Sequence, residues 1–304
     1  MTLASGRAVD WTVEASGLGF LEGPAVMPDG SVCFSDQTHA VVRRTSANRA
    51  TEVVCTVPGS FNAVALGPDG ALYAADNGGM RPGLAGGWGP VGSGDGHVAR
   101  VDSEGAVSRW ADALAGPGPH RLNDLCFDRA GRLWVTDSGN WDAMFDEAGG
   151  PYRGGAIFVC DPDGSSTRVA EVADFPNGIA PRLDASGLIV AHTITSSLWV
   201  YPFSDDGLGT AELFVDLSGI AQFAPDGLAV LDDGSVVVAG NHADSVAVVS
   251  PDGTVVDLLS TPFGWGPTNL AVAPGRLWVT MGSGGRLCSL DVPWDPAVVV
   301  PGLA

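Results

Sequence analysis

The chain has 304 residues, 45% of them hydrophobic, with 35 acids against 15 bases for a formal charge of −20. That balance repels phosphate backbones, so nucleic acid is not an expected partner. All 15 bases are arginine, which excludes a lysine Schiff base or a lysine general base.

Five cysteines, Cys33, Cys55, Cys126, Cys160 and Cys288, are odd in number and scattered, without a CxxC pair. Three lie in the strand-like runs VCF, LCF and FVC, where a packed, reduced thiol is expected rather than a nucleophile or a thiolate metal site. The opening MTLASGRAVDW lacks the apolar core of a secretion signal, and no stretch approaches a membrane span. A cytoplasmic protein that does not engage membranes is therefore expected. Gly (43) and Pro (21) are spread evenly, with no linker-like block, and the length suits one large all-β domain or two ordinary ones.

Internal repeats decide between these. The first is EGPAVMPDGSVCFSD from Glu22: an apolar run, a Pro-Asp-Gly turn and a second apolar run. NAVALGPDGALYAAD from Asn62 and NDLCFDRAGRLWVTD from Asn123 follow the same plan. NGIAPRLDASGLIVAH from Asn177 has a longer turn, DGLAVLDDGSVVVAG from Asp226 restores the original length, and NLAVAPGRLWVT from Asn269 shortens it. A third strand usually follows, as in HVARVD, AIFVCD, SLWVYPF, SVAVVS and RLCSLD. A meander of three or four strands cannot bury both faces alone, and units stacked radially become blades. The expectation is one domain over residues 1–304: an all-β, six-bladed β-propeller with four-stranded blades around a central channel. Two packed β-sandwiches are the alternative. Either AVDWTVEA before Glu22 or AVVV after Asp291 is expected to complete the last blade.

In a propeller the first strand of each blade lines the channel. The opening residues of the repeats, Glu22, Asn62, Asn123, Asn177, Asp226 and Asn269, therefore ring one mouth. The ends of the second strands return there with Asp36, Asp76 and Asp137, and near them His192 and Asn241. Opposed carboxylates repel unless neutralised. With carboxylate and amide oxygens and no thiolate, the expected neutraliser is a hard cation such as Ca²⁺ or Mg²⁺. Backbone capping is the competing role for such residues and suits Asn62 and Asn269 better.

Arg121, in HRLND, fits either a structural ion pair or a ligand for substrate oxygens. The long connections 77–96 and 138–155 carry Trp88, Trp141, Phe145 and Tyr152, which suits a lid that shapes a pocket.

In their order, LEGPAVMPDGSVCFSD, RLND, FPNGIA, PDGLAVLDDGSVVVA and GPTNLAV resemble the SMP-30/gluconolactonase (regucalcin-like) family of six-bladed propellers. The resemblance spans essentially the whole chain. It implies one divalent metal ion, Ca²⁺ first with Zn²⁺, Mg²⁺ or Mn²⁺ as alternatives, held by Glu22, Asn177 and Asp226. It implies substrate contacts from Arg121 and Asn123; Asp124 and His192 are the further candidates. The implied reaction is hydrolysis of a sugar lactone or related cyclic ester, with Asp226 as general base. A metal-assisted lyase or isomerase, or a non-catalytic binding propeller, remains the alternative on the same fold. A small-molecule substrate is the expected partner, and a monomer or weak homo-oligomer the expected state.

Overall fold

The computed structural model describes residues 6–46, 48–82, 88–90, 94–111, 114, 116, 118–141, 151–205 and 207–297. Its framework is six sheets, one for each sequence repeat, antiparallel except for the short strand Arg7–Ala8 that adds in parallel to the edge of the fifth. Blade 1 runs through Leu21–Val26, Val32–Asp36, Val41–Thr45 and Thr51–Thr56. Blade 2 uses Phe61–Leu66, Leu72–Asp76, His97–Val101 and Val107–Ala111. Blade 3 uses Leu122–Phe127, Leu133–Asp137, Gly155–Cys160 and Ser166–Val172. Blade 4 uses Pro176–Pro181, Gly187–His192, Ser197–Ser204 and Glu212–Asp216. Blade 5 uses Pro225–Val230, Val236–Gly240, Ser245–Val249 and Val255–Ser260. Blade 6 takes Pro267–Ala273, Arg276–Met281 and Arg286–Asp291.

Each first strand packs on the first strand of the next blade, and that of blade 6 packs on that of blade 1, so the ring closes. This is the six-bladed β-propeller expected from the repeats. The fourth strand of blade 6 is Thr12–Ala15, antiparallel to Arg286–Asp291. Of the two candidate closing segments, the N-terminal one therefore completes the blade. The chain after blade 6 goes elsewhere: Ala297 N donates to Val230 O, and Pro296 bridges Leu231.

Burial explains why these strands read as continuous apolar runs rather than alternating ones. Six hydrophobic clusters fill the six interfaces between neighbouring blades. Each blade is thus covered on both faces, as buried sheets require. Phe34, Trp134 and Phe158 are among the largest wholly buried side chains. All five cysteines are free, four of them buried and Cys126 half-buried. Among the described residues, no helix is long and apolar enough to cross a membrane.

The innermost pair of strands in every blade shares one irregularity. Its register shifts near the start of the first strand, between Glu22 and Ala25, Phe61 and Val64, Leu122 and Leu125, Pro176 and Ile179, Pro225 and Leu228, and Pro267 and Asn269. A bulge re-aims side chains and ends regular pairing. Here it falls at the channel mouth six times over.

Candidate metal and substrate site at the channel mouth

Glu22, Asn177 and Asp226, on blades 1, 4 and 5, are each followed by glycine. A Cβ on Gly178 would meet the carbonyl oxygen of Asp226 at 2.4 Å, and one on Gly227 would meet the Asn269 side chain at 2.0 Å. At the bulge the first strands approach so closely that no side chain fits between them. That brings residues from different blades together around the axis.

The ring is cross-linked. Asn62 Nδ2 donates to Asn123 Oδ1 at 2.8 Å, and Asn269 Nδ2 donates across to Asp124 Oδ2 at 3.3 Å. Asn269 Oδ1 also accepts from the Leu270 amide, so the backbone-capping role is present beside the ring role. Asp124 and Asn269 stand at one end of a channel cavity of about 570 Å³. Its walls are otherwise apolar, with Leu125, Ile179, Leu228 and Leu270 among them.

Electrostatically the site is unbalanced. Glu22, Asp124 and Asp226 are all buried, at 5%, 7% and 7% exposure. Burial, with the neighbouring Asp226 and Asp124 charges added, holds the Glu22 carboxyl well above the usual range. Burial pushes Asp124 up to about 7 and Asp226 up to about 8, although Asn241 and Asn177 hydrogen-bond Asp226 and lower it in part. No cation among the described residues offsets these shifts; only hydrogen bonds do. Among the described residues, no three His, Cys, Asp or Glu side chains form a metal-binding group. The candidate ligand set is accordingly two carboxylates and an amide oxygen. Asn177 Oδ1 is buried and accepts no hydrogen bond. An unpartnered oxygen beside two crowded carboxyls fits a hard divalent cation.

A second layer sits one residue past the end of four of the second strands, and of its members only Asn241 was legible in the sequence. Ser138 accepts from Asn123, Thr193 accepts from Asn177, Asn241 donates to Asp226, and Gln37 donates to Asn62. The strand-end acids expected at the mouth are different. Register sets Asp36 opposite Leu21, Asp76 opposite Phe61 and Asp137 opposite Leu122, one residue out of step with the ring. They are buried and hold loops: Asp36 binds His39 and Arg43, Asp76 takes the Gly78 amide, and Asp137 takes His120 and the Arg121 amide. Strand alternation is the physical reason, since neighbouring positions face opposite ways.

Arg121 is buried, and its Nη1 donates to the carbonyls of Gly94 and His120. His192 stacks on Trp199, and its Nε2 lies 3.0 Å from the Tyr201 hydroxyl. Burial lowers that imidazole to about 4. The structure thus joins Asn123 and Asp124 to the ring, engages Arg121 with the long connection inside blade 2, and encloses His192 within blade 4. Of the expected lid aromatics, Trp141 and Tyr152 pack on Phe175 and Met80. The Tyr152 hydroxyl donates to Ser138 O and Asp174 O. Phe145 and the Trp88 side chain lie outside the described residues.

Closed ring, crowded carboxyls and an orphaned amide oxygen together define a propeller with a candidate oxygen-lined site at one mouth of its channel. The profile of the SMP-30/Gluconolactonase/LRE-like region matches residues 20–283, and the chain belongs to this family. It is 26% identical over 277 residues to the gluconolactonase of Zymomonas mobilis subsp. mobilis, covering 82% of this chain and 71% of that one. It is 30% identical over 162 residues to the diisopropyl-fluorophosphatase of Loligo vulgaris, covering 51% of this chain and 48% of the relative. That match spans about half of the squid enzyme. The calcium-binding protein regucalcin from Agrobacterium tumefaciens shares the fold at a TM-score of 0.77 and 20% identity, covering 97% of each chain. Relatives named for lactone and fluorophosphate hydrolysis support hydrolase activity at the level of the family.

Proposed function

We propose that this chain is a divalent-metal-dependent hydrolase that opens a sugar lactone or a related cyclic ester at the channel mouth. The observation that carries the reading is the set of buried carboxyls at Glu22, Asp124 and Asp226, with no cationic partner among the described residues, beside the orphaned Asn177 Oδ1. A buried, uncompensated acid cluster costs stability, so its presence calls for a bound cation. Glu22, Asn177 and Asp226 would hold it, and Ca²⁺ suits an all-oxygen set. When bound, such an ion polarises a carbonyl and lets neighbouring carboxylates stay ionised.

The chain's own residues supply the rest. Asp226, ionised, takes the proton of the attacking water as general base. The Asn123 amide and the Arg121 guanidinium bind substrate oxygens, and the donors stabilise charge that develops on the carbonyl oxygen. Asp124 orients from the ring, tethered by Asn269. His192, neutral above about pH 4, stays enclosed within blade 4 by Trp199 and Tyr201. The substrate is a small molecule and the working unit a monomer or weak homo-oligomer.

A panel of aldonolactones assayed with and without EDTA tests this. Ring opening that EDTA abolishes and Ca²⁺ restores supports the reading. Stoichiometric metal without lactone turnover would move it to a metal-assisted lyase or isomerase, and the absence of any bound divalent ion to a binding propeller.

A further inference from the structure

We infer that Ser138 and Thr193 are positioning residues whose hydroxyls decide which atom of the Asn123 and Asn177 amides faces the channel. Only the consequence for metal and substrate rests on the function proposed above; the geometry stands without it.

The two clamps are built alike. Ser138 Oγ donates to Pro176 O at 2.9 Å, and Thr193 Oγ1 donates to Pro225 O at 2.7 Å. Each carbonyl opens the first strand of the following blade. A carbonyl can only accept, so the single hydroxyl proton is committed to it. The hydroxyl oxygen must then accept from the amide beside it. Asn123 Nδ2 approaches Ser138 Oγ at 3.1 Å, and Asn177 Nδ2 approaches Thr193 Oγ1 at 3.3 Å. The two ends of an asparagine amide are nearly alike in shape. Shape alone would leave the group free to present either nitrogen or oxygen. The hydroxyl takes one proton of the nitrogen and in Asn177 the other reaches Asp226, so the oxygen is turned away from the hydroxyl.

Two further observations agree with that direction. Asn177 Oδ1 is a buried acceptor left without a partner. Asn123 Oδ1 accepts from Asn62 Nδ2, and Asn62 Oδ1 in turn accepts from Gln37 Nε2. Every bond in this relay points the same way, from Gln37 through Asn62 and Asn123 to Ser138 and the Pro176 carbonyl. Its loose end is Gln37 Oε1, which is also buried and unpartnered. A relay anchored by a group that can only accept has one permitted polarity. The clamp therefore converts a blade-to-blade tether into a choice of ligand atom.

The test combines Thr193→Val and Ser138→Ala, which delete the hydroxyls, with Thr193→Ser and Ser138→Thr, which keep them. In metal-free protein, the side-chain amide signals of Asn177 should move in T193V and return in T193S. In S138A the signals of Asn123 and, one step along the relay, Asn62 should both move, and S138T should restore them. A loss of packing alone would not be relayed to Asn62. Calcium titration should show T193V binding on the order of tenfold more weakly or worse, with T193S near wild type, the usual cost of losing a residue that orients a ligand. Folded T193V and S138A proteins with amide signals at their wild-type positions would overturn the inference, and one folded variant of the two suffices to decide. A wild-type protein that binds no Ca²⁺ would instead defeat the metal reading, with the amide signals still deciding the clamp.

Discussion

Asp226 carries more than one demand at once. It is buried, crowded by Asp124 and braced by Asn241, so its charge is tolerable only beside a cation. Asp226→Asn keeps the shape and an oxygen for the proposed ligand set but removes the proposed base. Turnover should fall on the order of a hundredfold or more, with Ca²⁺ affinity weakened yet measurable in a titration. A variant that kept near-normal turnover would show that the base is elsewhere. His192 makes a different prediction, because its role is set by enclosure between Trp199 and Tyr201. Its folded value of about 4 lies below its ordinary 6.5. The unfolded chain therefore binds the proton first as pH falls, and His192 withdraws stability between pH 6.5 and 4. His192→Gln should flatten that part of the stability profile, read as denaturation midpoints against pH. An unchanged slope would mean that the imidazole is not held neutral in the fold.

Strands and connections divide into what sequence could and could not announce. The six blades were legible because Pro-Asp-Gly-type turns punctuate apolar runs. Gly30, Gly70, Gly131 and Gly234 all take up the positive φ that such turns need. The ring residues were legible too, since each opens a repeat. The bulge was not, because register lies in pairing between strands rather than in one of them. It puts Ser138 and Thr193 in contact with the ring while Asp36, Asp76 and Asp137, one position earlier in their blades, tie down loops. The Gly after Glu22, Asn177 and Asp226 was the available signal, as close approach of backbones tolerates nothing larger. The expected lid also reads differently at this level. Trp141 is buried against Phe175, so its first duty is to anchor the connection between the second and third strands of blade 3. Trp141→Ala should cost about 3–5 kcal/mol, as large aromatic truncations in a core do, and shift the thermal midpoint down. KM should rise with little change in Ca²⁺ affinity if the anchored connection also borders the substrate.

Taken as one charged body, the protein should couple its stability to pH and, through the proposed site at the mouth, to cations. In metal-free protein, burial raises Asp124 from 3.8 to about 7 and Asp226 from 3.8 to about 8. Raised folded values mean that the fold binds these protons more tightly than the unfolded chain does. The stability they contribute is complete below about pH 4 and is lost as pH climbs through 7 and 8. A bound cation reverses the preference, because its ligands must be ionised and their protons leave on binding. The rise in Tm caused by a fixed Ca²⁺ concentration should therefore grow from pH 5 to pH 8, and EDTA should remove it. At a hundred times Kd the gain is about 2.7 kcal/mol. The formal charge of −20 supplies a competing explanation, since any added salt screens self-repulsion and stabilises the compact state. Two controls separate these effects. NaCl at matched ionic strength should give a smaller shift without this pH dependence. Asp226→Asn, which carries no charge to bury, should in metal-free form melt higher than wild type at pH 9 but not at pH 5, and should lose most of the Ca²⁺ increment. Equal Ca²⁺ increments in wild type and Asp226→Asn at every pH would trace the stabilisation to screening and leave the mouth without a cation.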